Sequence, residues 1–176
     1  AFTKKQGEQR KALERKIEEK SLATHKERYD LFIREMAYTW FNRLAAIRYM
    51  ELHDYLDHGF RVLSNPNNPD SLPEILDHAS DVVDILDPDQ KYLDKNHIIE
   101  LQLAGNKEEE LYRELLLGQC HRLYNIMPFM FEAIDDATEL LLPDNLTKTD
   151  SILKGLVNEI PEEDWNEIEV IGWLYQ

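Results

Sequence analysis

The chain has 176 residues, 43% of them hydrophobic and 10% aromatic, which is enough for one packed domain and argues against wholesale disorder. No apolar run approaches the ~18 residues that a membrane-spanning helix needs, and the opening AFTKKQGEQRKALERK has no apolar signal core. The net charge of −15 is unevenly spread: residues 1–60 hold 12 Lys/Arg against 10 Asp/Glu, whereas residues 61–176 hold 8 against 25.

Six glycines and seven prolines are few, and the prolines fall between periodic segments, so helices with short connections are expected. Residues 1–22 read as a charged amino-terminal helix or arm, thinly apolar at Ala12, Leu13 and Ile17. A long helix is expected over about 24–56. Thr24 with Glu27 makes a capping box at its start. Tyr29, Ile33, Met36, Trp40, Leu44 and Ile47 step by three or four along one face, and Gly59 is a left-handed terminator. Residues 65–70, NPNNPD, are a loop by composition.

Beyond the loop, Ser71 with Glu74 reads as a second capping box for a helix over 72–86. Asp87-Pro88 reads as the start of a helix over 88–103 that stops at Gly105. Asn106 with Glu109 opens the most apolar helix, 107–127, through Tyr112, Leu116, Cys120, Leu123 and Met127, and Pro128 ends it. A short helix and an acidic stretch follow to Leu142, then a helix over 149–159, a turn at 161–165 and an apolar last segment from Val170. No strand of period two appears. The expected fold is all-α, an irregular bundle of roughly six to eight helices.

The most distinctive wording is AYTWFNRLAAIRYMELHDYLDHGFRVLS, residues 37–64, followed by LYRELLLGQCHRLYNIMPFMFEAIDDATELLLPDN at 111–145, LTKTDSIL at 146–153 and IPEEDWNEIEVIGWLYQ at 160–176. These runs resemble, in order, the region upstream of the catalytic domain in the PglX family, the adenine-specific DNA methyltransferases of BREX phage-defence systems. The first 36 residues match poorly. The family's Asn-Pro-Pro-aromatic motif and Gly-rich cofactor loop are absent: Asn65-Pro66 and Asn68-Pro69 are not followed by a second proline and an aromatic. The resemblance implies a helical amino-terminal region, residues 23–176, ending at the entry to a methyltransferase domain outside this chain. The apolar last segment, uncapped, leads to the same expectation, and the missing initiating Met suggests processing or a cut amino-terminal end.

The resemblance further implies a bacterial cytoplasmic protein whose parent transfers a methyl group from S-adenosylmethionine to a flipped adenine. Its partners would be the catalytic domain and other BREX proteins. No catalytic, cofactor-binding or metal-binding residue is assigned within this chain. The alternative classes are a helical adaptor unrelated to methylation and a metal-dependent nuclease.

Several residues invite sharper readings. Arg43 and Arg48 are candidates for DNA or partner contact, because Arg pairs well with phosphate and guanine. Yet Arg43 flanks the apolar stripe, Glu51 lies on the inward face as a partner for an Arg, and Arg48 with Glu51 has the spacing of a surface pair. Lys11 and Arg15 belong to the only basic cluster and are the other contact candidates. Because phosphate contacts need clustered Lys and Arg, weak or no binding of duplex DNA is expected.

Ile171, Trp173 and Leu174, at the apolar end, are candidates for contact with the catalytic domain. His53, Asp54, Asp57 and His58 carry metal-ligating groups, but without the usual i, i+4 histidine spacing. Pro69-Asp70 with Asp89-Gln90-Lys91 matches the wording of a nuclease motif, whose geometry needs a β-hairpin. Asp135, Asp136, Glu139, Asp144 and Glu162 to Asp164 read as solvated faces or as a docking surface for a basic partner. Cys120 reads as a buried small apolar residue, and a single cysteine fits a reducing compartment.

Overall fold

A computed structural model describes residues 3–21, 24–128, 131 and 136–166. Among these the protein is all-α, with helices α1 (Lys4–Glu18), α2 (His25–Leu52), α3 (Ala79–Leu86), α4 (Lys95–Ala104), α5 (Glu108–Ile126), α6 (Asp136–Glu139) and α7 (Ile152–Glu159). Two 3-10 turns, Glu74–Leu76 and Glu162–Asn166, complete the set, and no strand occurs among the described residues. No helix described is long and apolar enough to cross a membrane.

The chain forms two compact units. One comprises residues 1–42 and 133–143, the other residues 43–132 and 144–176. The first carries 10 Lys/Arg and 10 Asp/Glu; the second carries 10 against 25, so the whole net charge of −15 resides there.

In the first unit α1 starts at a reciprocal cap between Thr3 and Gln6. Leu13 and Ile17 project from α1 into a small core with Phe32 and Ala137, edged by Met36, Leu140 and Leu141. The expected capping box opens α2: the Thr24 hydroxyl accepts from Glu27 N–H, and the Glu27 carboxylate accepts from Thr24 N–H. The inward face of α2 differs from the expected one at its start. Tyr29 and Ile33 are exposed, and Phe32 is buried in their place. With only a narrow apolar stripe to cover here, packing selected the face through Phe32, Met36 and Trp40, about 100° per residue away from one centred on Ile33.

The second unit begins with the other half of α2, which buries Leu44 and Ile47 as expected. That helix stops at Leu52, earlier than expected. Asp54 takes the left-handed conformation (φ 55°) before Gly59 is reached, which a short polar side chain tolerates better than a bulky one. α3, α4 and α5 pack pairwise, with Leu111, Tyr112, Leu115, Leu116, Cys120 and Leu123 as the buried spine. Gly118 lets α5 approach Leu93 closely: a Cβ there would lie 2.6 Å from Leu93 Cδ1.

Three expected starts are corrected. Glu74 does not cap its own helix with Ser71; its carboxylate accepts from Arg61 N–H, and the expected single helix divides into the turn Glu74–Leu76 and α3. Asp87-Pro88 does not restart a helix. The buried Asp87 carboxylate accepts the N–H groups of Tyr92 and Leu93, holding a loop until Asp94 caps α4. Gly105 ends α4 in the left-handed conformation, as expected. Glu109 does not return to Asn106 but accepts from the backbone N–H groups of Leu146 and Thr147. Long-range partners outcompeted local caps because burying those N–H groups unpaired would cost more than leaving an exposed helix end to water.

Candidate functional site

The 37–64 run folds around a buried ionic knot. Arg48 and Glu51, three residues apart on α2, have side-chain exposures of 1% and 0%. One Glu51 oxygen accepts from Arg48 Nη1 at 2.7 Å and from the Ser64 hydroxyl at 2.9 Å. The other accepts from the backbone N–H groups of Val62 and Leu63, each at 2.7 Å. The pair is therefore internal, not the surface pair its spacing suggested.

Residues 61–64 have no regular structure, and three of the four are buried, so their backbone groups must find partners elsewhere. They do. Tyr112 Oη donates to Val62 C=O at 2.9 Å, Ile75 N–H to Arg61 C=O and Glu74 N–H to Ser64 C=O, both at 3.0 Å. Outside this knot, Glu162 accepts from Arg48 Nη2 at 3.1 Å and from Arg61 Nη1 at 2.7 Å, tying the last described turn to α2. Burial works to raise the Glu162 carboxyl, but the hydrogen bond and charge of Arg61, with Arg48, outweigh it and hold the group below its ordinary value. Trp165, fully buried, anchors the same turn.

In the same unit an apolar cleft of about 300 Å³ opens at the ends of α2, α3 and α5. Met50, Tyr55, Ile85, Leu123, Ile126 and Met127 line it. Tyr55, Ile85 and Ile126 are 59%, 37% and 45% exposed. At its polar edge Arg122 Nη2 pairs with Asp57 at 2.6 Å. His58 Nδ1 accepts from Phe60 N–H at 3.1 Å, which places the ring proton on Nε2, where it donates to Gln119 Oε1 at 2.8 Å. Burial pushes the His58 pKa below its ordinary value, so the ring is held neutral.

The other candidate residues are distributed as follows. Arg43 is buried in the second unit, and Arg48 turns its guanidinium into the knot, so neither presents a free charge to a phosphate. Lys11 and Arg15 are exposed on α1. Ile171, Trp173 and Leu174 lie outside the described residues, as does Asp135. His53 stacks on Tyr49 with ring centroids 4.0 Å apart, and His121 on Tyr92 at 3.8 Å. Among the described residues no three His, Cys, Asp or Glu groups converge as a metal site. Asp89 and Lys91 form an exposed pair in a loop, without the hairpin a nuclease motif requires. Cys120 is buried and its thiol is pushed up to about 12 by desolvation, so it is protonated at neutral pH.

Sequence reasoning missed the reach of Glu51 to residues 62–64 and the role of Lys154. That buried lysine donates to the carbonyls of Pro69 and Ser71 at 2.7 and 2.8 Å, pinning the 65–70 loop. An acid on the inward face of α2 was the signal for the first; Lys154 carried none.

No family model matches the sequence. Similarity to individual proteins is high. Over 148 residues the chain is 62% identical to the adenine-specific methyltransferase BrxX of Escherichia coli O9:H4 (strain HS), a match covering 84% of this chain. Over 152 residues it is 36% identical to the adenine-specific methyltransferase PglX of Lacticaseibacillus casei (strain Zhang), covering 82%. The chain is homologous to a segment of the BREX adenine-specific methyltransferases. It spans 12% of the length of each of these two relatives.

Proposed function

We propose that this chain is the amino-terminal helical domain of a BREX-type site-specific DNA N6-adenine methyltransferase, serving host DNA modification and phage defence. In this reading it braces the catalytic domain and docks partner proteins, while S-adenosylmethionine is bound by the parent protein outside this segment. The observation that supports it most is the 62% identity over 148 residues to a protein named as an adenine-specific methyltransferase. The site chemistry fits a bracing role, because the buried charges of the 37–64 run are spent on internal contacts. Phosphate contact in this reading falls to Lys11 and Arg15, and contact with the catalytic domain to Ile171, Trp173 and Leu174.

Two measurements test the proposal. The isolated chain should show no stoichiometric S-adenosylmethionine binding by calorimetry, and weak or no gel shift of duplex DNA in ~150 mM salt, where screening acts over about 8 Å. Deleting the corresponding segment from the E. coli relative should abolish or strongly reduce adenine methylation of DNA. Full methylation without the segment would refute the bracing role and favour an adaptor unrelated to the reaction.

A further inference from the structure

The cleft at the ends of α2, α3 and α5 combines two properties that seldom coincide without a partner. Three large apolar side chains, Tyr55, Ile85 and Ile126, stand more than a third exposed around one concavity, with Met50 and Met127 as adaptable lining. The unit that carries it holds 25 acidic against 10 basic residues. Among the residues lining the cleft Asp57 and Arg122 are paired with each other and cancel, so the acidic excess at the rim is carried by exposed Asp54, next to Tyr55, and exposed Asp81, one helical turn before Ile85.

We propose that this cleft is the docking site for a basic amphipathic helix of a protein partner, which seats apolar side chains at i and i+3 or i+4 in the cleft and sets Lys or Arg against the acidic rim. The proposal deepens the docking role above and rests on that reading only for the existence of a partner. About 300 Å³ accommodates anchor side chains rather than a nucleotide chain, and the acidic rim repels phosphate. At the polar end both ring nitrogens of His58 are already engaged, Nδ1 by Phe60 N–H and Nε2 by Gln119 Oε1, so recognition falls mainly to shape, apolar burial and charge.

The test uses a fluorescently labelled synthetic helix of leucine and lysine, with leucine at i, i+3, i+4 and i+7, and a matched peptide carrying glutamate for lysine. Binding to the intact chain is followed by anisotropy in ~150 mM salt. The lysine peptide should bind and the glutamate peptide should not. Ile126→Ser should weaken the lysine peptide about tenfold or more, a change of about 1.4 kcal/mol or greater. Leu103→Ser, which removes an 81% exposed side chain outside the cleft, should leave binding unchanged. Circular dichroism confirms that both variants are folded.

Equal weakening by both variants, or binding insensitive to Ile126→Ser, would show non-specific attraction to an acidic surface and overturn the proposal. Dimerisation of the chain that is lost in Ile126→Ser would overturn it in favour of a second copy as occupant. These readouts do not involve methylation, so they fail or succeed independently of the parent activity.

Discussion

Replacing Glu51 with glutamine changes one atom in a side chain that accepts four hydrogen bonds, two on each oxygen. Glutamine keeps a single acceptor oxygen. In one orientation its amide N–H₂ faces the N–H groups of Val62 and Leu63; in the other it faces the Arg48 guanidinium and the Ser64 hydroxyl. Either way donors meet donors, and Arg48 loses its buried counter-charge. Breaking a buried pair by removing one partner costs about 3–5 kcal/mol, against a total of about 5–15 kcal/mol for a typical domain. For a chain of this size that corresponds to a fall of about 6–20 °C in Tm. Urea unfolding followed by Trp fluorescence and circular dichroism measures it. Arg10→Ala, which breaks an exposed pair with Glu14, should change stability by less than about 1 kcal/mol. Adding Arg48→Met to Glu51→Gln should recover part of the loss, because the amide can then turn its donors toward Ser64. A cost below about 1 kcal/mol for Glu51→Gln would refute the account of residues 61–64 as backbone held by this carboxylate.

Gly118→Ala should destabilise by about 1–3 kcal/mol through overpacking against Leu93, and the loss should shrink in a Leu93→Val background, read as the coupling of a double-mutant cycle. Trp40→Ala and Leu116→Ala should each cost about 2–5 kcal/mol in denaturant titrations, since both side chains are buried. His58 has a folded pKa below its ordinary 6.5, so its contribution is fully present above that value and is lost as pH falls through the lower folded pKa. The Tm of the wild-type chain should therefore decline from about pH 6.5 downward more steeply than that of His58→Ala, and parallel profiles would refute the neutral-ring assignment.

The helical class, the start of α2, the apolar spine of α5 and the stop at Gly105 were legible in the sequence because each depends on neighbours within one or two turns. The same local logic failed at Glu74, Asp87 and Glu109, whose side chains have nearby cap positions yet serve N–H groups of Arg61, of Tyr92 and Leu93, and of Leu146 and Thr147. It failed again at Tyr29 and Ile33, where apolar character alone did not say which adjacent face of α2 would find a partner. The sequence by itself determined the helical class, the acidic imbalance and the kinship of the 37–64 run. Only the tertiary structure decided that Arg48 and Glu51 close on residues 62–64, and that Tyr55, Ile85 and Ile126, from three separate segments, share one cleft. Periodicity reports which side of a helix is apolar. Which distant backbone groups a buried charge must satisfy is set by what the folded chain brings beside it.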